Sequence, residues 1–198
     1  MKTLFSLLIA LLVFLPVRLA FGQLIYEVEP NHSTVGFSVP IAGGITRVSG
    51  KFMDFQITIS YGRDNIPQSS VTVVIQATSI NTGIAGRDDH LRSPVFFDVA
   101  KYPTITFTSR RISKRDEKCV AVGDFTMHGV TKEIEFPQDV KEFTLLGQTT
   151  RLLAASVRWT ISRKAYGVGA GFKHNSIPDF LGDGIAVEID MWTKSPKK

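Results

Sequence analysis

From Ser33 onward the chain alternates apolar and polar residues with a period of two. The run "STVGFSVPI" sets Val35, Phe37, Val39 and Ile41 on one side, and "FMDFQITISY" does so with Met53, Phe55, Ile57 and Ile59. "SSVTVVIQA" follows with Val71, Val73, Ile75 and Ala77, and "PTITFTS" with Ile105 and Phe107. Near the end, "LLAASVRWTIS" gives Leu153, Ala155, Val157, Trp159 and Ile161, and "GIAVEIDMW" gives Ile185, Val187, Ile189 and Met191. Each run has a dry side and a wet side, the mark of a β-strand covering a core. Such strands are more often antiparallel than parallel, since parallel sheets are usually buried on both faces.

The punctuation agrees. Ala42-Gly43-Gly44, Gly62-Arg63-Asp64-Asn65, Lys114-Arg115-Asp116-Glu117, His128-Gly129 and Leu146-Gly147-Gln148 separate strand-like runs and predict hairpin connections. The expected fold class is all-β. A two-sheet sandwich fits the pattern. A closed antiparallel barrel of about eight strands also fits, removes exposed sheet edges and can hold one small ligand. Long strands are expected near 45–61 and 149–162. Only 84–97 looks helical, with Asp88 and Asp89 in its first turn and Pro94 ending the regular part. His90, Leu91, Val95 and Phe97 cannot all face water, so this segment is expected to be a lid or plug, with Leu91, Phe96 and Phe97 inserting into the interior. "YGVGAG", residues 166–171, is expected to form a bend or lid loop.

The first residues belong to a different pattern. Lys2 precedes an apolar run, Leu4 to Val17, and Ala20-Phe21-Gly22 offers small residues where a signal peptidase reads. Residues 1–22 are therefore expected to be a signal peptide cleaved between Gly22 and Gln23, leaving 23–198 as a single periplasmic or secreted domain. Removing Lys2 and Arg18 lowers the formal charge from +5 to +3. The basic stretches "SRRISKR" and "KSPKK" lack interleaved aromatics, so they are read as a solvated loop and terminus, and no nucleic-acid partner is expected. Transient contact with an anionic membrane surface and a homodimer remain open. Cys119 is the single cysteine, so no internal disulfide can form.

Chemistry is sparse. The four histidines, His32, His90, His128 and His174, are not paired at metal-ligand spacing. There is no nucleophile elbow, phosphate loop or dinucleotide fingerprint. No metal or cofactor is expected. The 14 Phe residues suggest a large apolar interior, either a greasy cavity or a core filled by side chains. Alternation nominates Phe37, Val39, Phe55, Ile57, Val73, Ile75, Phe107, Phe125, Met127, Phe136, Trp159 and Phe172 as its lining. A slip of one residue in any strand would swap that strand's set. Such an interior points to an exported binder of an apolar molecule.

Several blocks in order carry a resemblance: "YEVEPNHSTVGFSV", "RVSGKFMDF", "ATSINTG", "RDDHLRSPVFFDVAKYPTITFTS", "VGDFTMHGVTKEIEF" and "ISRKAYGVG". Together they resemble the YceI-like polyisoprenoid-binding family. The resemblance implies an extended, lipocalin-like barrel with one short helical segment, exported to the periplasm. It implies a bound isoprenoid-type lipid, such as a polyprenyl phosphate, an isoprenoid quinone or a fatty acid derivative, and no catalysis. It adds Arg87, His90 and Arg163 to Phe96 and Phe97 as candidate ligand contacts, with Arg87 and Asp98 also suited to anchoring the helix. Two departures stand out. The family commonly has a histidine where this chain has Ile41, and an acid where it has Ala165, which implies a less polar head group. The alternative is a periplasmic enzyme or redox-linked protein acting on a quinone-like substrate, with His32, His90 or His128 as the acid/base group.

Overall fold

A computed structural model describes residues 23–196. The predicted signal peptide and its cleavage site at Gly22 lie outside the described residues. Eleven strands form one antiparallel sheet in the order β1-β4-β5-β7-β8-β9-β10-β11-β2-β3-β6. They are β1 (Leu24–Glu27), β2 (Thr34–Ile41), β3 (Thr46–Phe52), β4 (Phe55–Tyr61), β5 (Ser70–Gln76), β6 (Ile80–Asn81), β7 (Thr104–Arg115), β8 (Lys118–Met127), β9 (Val130–Thr144), β10 (Arg151–Ser162) and β11 (Gly184–Trp192). The one α-helix, α1 (Ala85–Arg92), follows β6.

The strand count and the expected eight are reconciled by three bends. β1–β2, β3–β4 and β5–β6 are each one run of chain interrupted by a short irregular stretch, which leaves eight runs. The bent β3–β4 run pairs along its length with the bent β5–β6 run: Phe55 faces Ile75 before the bend and Phe52 faces Ile80 beyond it. Across the bend itself, Met53 donates to Ser79 and Gln76 donates to Asp54. Closure follows from the same device. β11 pairs with β2, β2 with β3, and β3 continues into β4, which pairs with β5. Backbone bonds from Glu29 to Trp192 and from Lys194 to Glu27 tie the end of β11 to β1. A sheet closed on itself satisfies its edge N–H and C=O groups internally.

The bend also changes the strand's parity. Alternation places Met53 with Phe55, but Met53 is 54% exposed and Phe52 is buried instead. Met53 and Asp54 lie at the turn between β3 and β4, so the inward positions run from Phe52 to Phe55 rather than two by two. The long strand expected over 45–61 is therefore two strands with a hinge. The other runs keep their predicted inward side, and each of the five predicted connections joins two strands, although Lys114 and Arg115 still pair within β7 and leave the turn to Asp116 and Glu117. In the β8–β9 hairpin, His128 (φ 52°) and Gly129 (φ 75°) both adopt left-handed backbone, as a two-residue turn matched to strand twist requires. Tyr102 lies against Gly129, where an added Cβ would come within 2.5 Å of its ring.

The outer face of the barrel is polar. Arg110 on β7 bridges to Asp124 on neighbouring β8 and reaches over β8 to Glu133 on β9, Arg115 likewise reaches Glu135 on β9, and Arg158 on β10 pairs with Asp190 on neighbouring β11. Exposed pairs of this kind add little stability, but they make a face suited to water rather than lipid tails. No helix among the described residues is long and apolar enough to cross a membrane.

Candidate functional site: an apolar cavity closed by a plug

The inward residues enclose a cavity of about 150 Å³. Its wall is built by strand register. Trp159 on β10 faces Val187 on β11, which faces Phe37 on β2, so these side chains meet across three adjacent strands. On the opposite side, Phe107 and Phe125 face each other on β7 and β8. Phe107 lies 5.1 Å from Phe136, and Phe136 stacks on Trp159 at 5.1 Å with 18° between the planes. Phe37 contacts Phe52 at 5.7 Å, and Phe52 meets Phe97 edge-on at 6.0 Å. The result is a nearly continuous aromatic girdle.

The segment after β6 closes the cavity. α1 has eight residues, no side-chain N-cap and a mostly polar composition, so it is far too short to stand by itself. Side-chain bonds hold it to the barrel. The buried Asp88 carboxylate accepts from the backbone N–H (2.9 Å) and the hydroxyl of Thr82. Arg87 donates to the Thr82 hydroxyl (2.7 Å) and carbonyl (2.8 Å), and Arg92 to the carbonyls of Thr78 and Ile80. The Thr82 hydroxyl bond chiefly holds the Asp88 pKa below its ordinary value, against the opposing effect of burial. The helix stops at Arg92, just before the Pro94 that was expected to end its regular part, because Ser93 precedes that proline and takes extended backbone (φ −68°, ψ 167°). A compact turn follows; Leu91 from the last turn of α1 and Phe96 and Phe97 from this turn join the cavity wall. Val95 stays outside, at 48% exposure.

A second closure comes from residues 163–183, between β10 and β11, a segment that contains the bend or lid loop expected at 166–171. Its anchor is Arg163, which is 5% exposed. The guanidinium donates to the carbonyls of Gly182 (2.8 Å), Val168 (2.9 Å), Gly169 (2.6 Å) and Leu181 (3.1 Å). Burial lowers the Arg163 pKa, partly offset by nearby Asp183. Burial also pushes the Asp183 carboxyl upward, but bonds from the Lys164 N–H and the Ser162 hydroxyl outweigh it, so its net shift is downward. Gly169, at φ 57°, lets the Phe96 ring come so close that a Cβ would sit 2.5 Å from it.

Of the sequence candidates, Phe37, Val39, Val73, Ile75, Phe96, Phe97, Phe107, Phe125, Met127, Phe136, Trp159 and Arg163 line the cavity. Five do not. Ile57 is buried in solid core, and its neighbour Ile59 borders a second void of about 30 Å³ beside Tyr61 and Cys119. Phe55 is half-buried against the core just beyond the bend and is absent from the wall. Arg87 is spent on Thr82. His90 is exposed and meets Phe96 edge-on at 5.0 Å, from outside the cavity. Phe172 packs behind Phe96, 5.2 Å away, rather than into the cavity. Sequence reasoning missed Phe52, through the parity change, and Val168 and Leu181, which lie in a loop without periodicity. Ile161 and Ile185 also line the wall, on faces that the alternation had already marked.

The histidines of the enzymatic alternative do not converge on this space. None of His32, His90 and His128 lines it, and His128 is occupied by the Tyr166 carbonyl at 3.1 Å. Cys119 borders the second void, and burial raises its thiol pKa, which disfavours a reactive thiolate. No group of three or more potential metal ligands occurs among the described residues.

A closed antiparallel barrel with an enclosed apolar interior and a helical plug defines a lipocalin-like architecture. The family model described as "YceI-like domain" matches residues 26–192, and the chain belongs to that family. Protein YceI of Escherichia coli O157:H7 is 35% identical over 147 residues, 74% of this chain and 74% of that protein. A UPF0312 protein of Vibrio vulnificus (strain YJ016) is 35% identical over 141 residues, 71% of this chain and 72% of the relative. Among solved structures, BcnA of Burkholderia cenocepacia superposes with a TM-score of 0.70 at 20% identity, covering 84% of this chain and 99% of its own. A domain from Saccharophagus degradans, described as a polyisoprenoid binding domain implicated in plant cell wall breakdown, gives 0.69 at 18%, covering 86% and 98%. At these identities the structural likeness shows the fold alone.

Proposed function

We propose that this protein is an exported carrier that holds one neutral or weakly polar lipid of the isoprenoid type inside its barrel. The observation that carries this reading is the composition of the cavity wall. It is aromatic and aliphatic nearly throughout, and its one charged residue, Arg163, is committed to backbone carbonyls. Each methylene moved from water into such a space contributes about 0.8 kcal/mol, so a long hydrocarbon chain needs no further chemistry to be retained. Family membership supports the reading, as does the Saccharophagus neighbour described as binding polyisoprenoid. The absence of titratable groups other than Arg163 from the wall favours binding over catalysis. The apolar leader at residues 1–22 supports export to the periplasm or beyond.

Native mass spectrometry of residues 23–198, purified after export without detergent, tests the proposal. A discrete adduct released by organic solvent and identified as a lipid is the expected result. A bare mass, with no uptake of prenylated quinone, polyprenyl phosphate or fatty amide, would mean that the barrel is filled by its own side chains.

A further inference from the structure

Three residues lining the cavity have polar side-chain atoms: Thr106, Trp159 and Arg163. Thr106 lies between inward-facing Ile105 and Phe107, so its hydroxyl turns outward. Arg163 gives its bonds to four loop carbonyls. Trp159 is different. Its ring forms part of the wall and stacks on Phe136, yet its indole Nε1 is buried with no acceptor within reach. A buried donor left unpaired bears its whole desolvation penalty, and native structures rarely leave one so. The cavity is also small for a lipid. At about 150 Å³ it matches the space that takes a single benzene ring, so a chain can enter only if wall side chains move.

We infer that Trp159 is the polar anchor of this site: as a lipid enters, the Phe136–Trp159 stack opens and the indole N–H donates to a carbonyl oxygen on the ligand. The inference rests on the lipid-site reading above and adds a ligand class to it. The wall presents one unspent donor, no side-chain acceptor and no free charge. That set suits a group that only accepts, such as a ketone, ester or quinone carbonyl. A phosphate or diphosphate drawn to the same depth would bury its charge without partners, so a charged head must stay at the mouth. The carbonyl-bearing end of the ligand therefore lies at the level of the aromatic girdle.

The test uses a matched pair, a long-chain methyl ketone and the alkane of the same chain length, each delivered from cyclodextrin to wild type and Trp159→Phe. Phenylalanine keeps an aromatic surface and removes the N–H. The expected result is a loss of ketone affinity of about 5- to 20-fold, with alkane affinity changed less than about twofold. Equal effects on both ligands, or none on either, would overturn the role of Trp159 while leaving the lipid site in place. Uptake of neither ligand by wild type would overturn both. Should Trp159→Phe fold poorly, Trp192→Phe leaves Trp159 as the single indole of the chain's two. Its N–H proton resonance should then move downfield with the ketone and not with the alkane. A resonance that responds alike to both would count against the hydrogen bond.

Discussion

Arg163 brings a charge into an apolar wall and is kept there by four carbonyls of the 163–183 loop. Its function is positional: it folds the loop over the cavity, and methionine, of similar length, would leave those carbonyls unsatisfied. Arg163→Met should lower stability by roughly 3 kcal/mol and open residues 170–178 to protease, as denaturation midpoints and limited proteolysis would show. Asp88 holds the other closure. Its native pKa is lowered, chiefly by the Thr82 hydroxyl, so its contribution is complete above the unfolded carboxyl pKa of about 4 and is lost as the pH falls through the lower native value. The stability gap between wild type and Asp88→Asn, followed by urea unfolding, should be flat near neutrality and shrink below about pH 4. A gap that widened in acid would contradict this assignment.

At the scale of elements, α1 and the turn after it behave as a stopper rather than as part of the sheet. The helix has little intrinsic stability and is held by a few hydrogen bonds at Thr78, Ile80 and Thr82. Elements of this kind open at lower free energy than the barrel they cover. Phe96 links the stopper to the lid loop through Gly169 and Phe172. Phe96→Ala should cost about 3–5 kcal/mol if the site cannot collapse, and should speed release of a bound fluorescent lipid severalfold. Loss of stability with an unchanged release rate would make Phe96 core rather than lid. The helical character of this segment was legible from its charged first turn and Pro94. Pro94 also marked its end, and the restriction that the proline places on Ser93 sets the last helical residue at Arg92.

At the scale of the molecule, the barrel places charged pairs outside and aromatic rings inside, which fits a protein that works in water and hides an apolar cargo. The leader proposed at residues 1–22 would direct it to an exported compartment. There, N-terminal sequencing of the purified protein should begin at Gln23; a sequence beginning at Met1 would place the leader in the working protein. The candidate site was legible as far as alternation reached. Of the twelve nominated residues that line the cavity, nine do so because their strands keep a strict inward parity, while Phe96, Phe97 and Arg163 lie outside the strands. Ile57 and Phe55 share that inward side and still miss the cavity, since depth along the barrel, not parity, separates void from solid core.

The sequence by itself determined which side of each regular strand is dry, where five hairpins turn and that one charged segment breaks the pattern. These are local properties, set by a period of two and by the backbone needs of Gly, Asn and Asp. Only the tertiary structure decided that three runs bend and that Phe52 replaces Met53 on the inner face. It also decided that the sheet closes and that the Trp159 indole is left without a partner. Each of these depends on pairing between residues far apart in the chain, where the packing of one strand against another overrides what either strand shows alone.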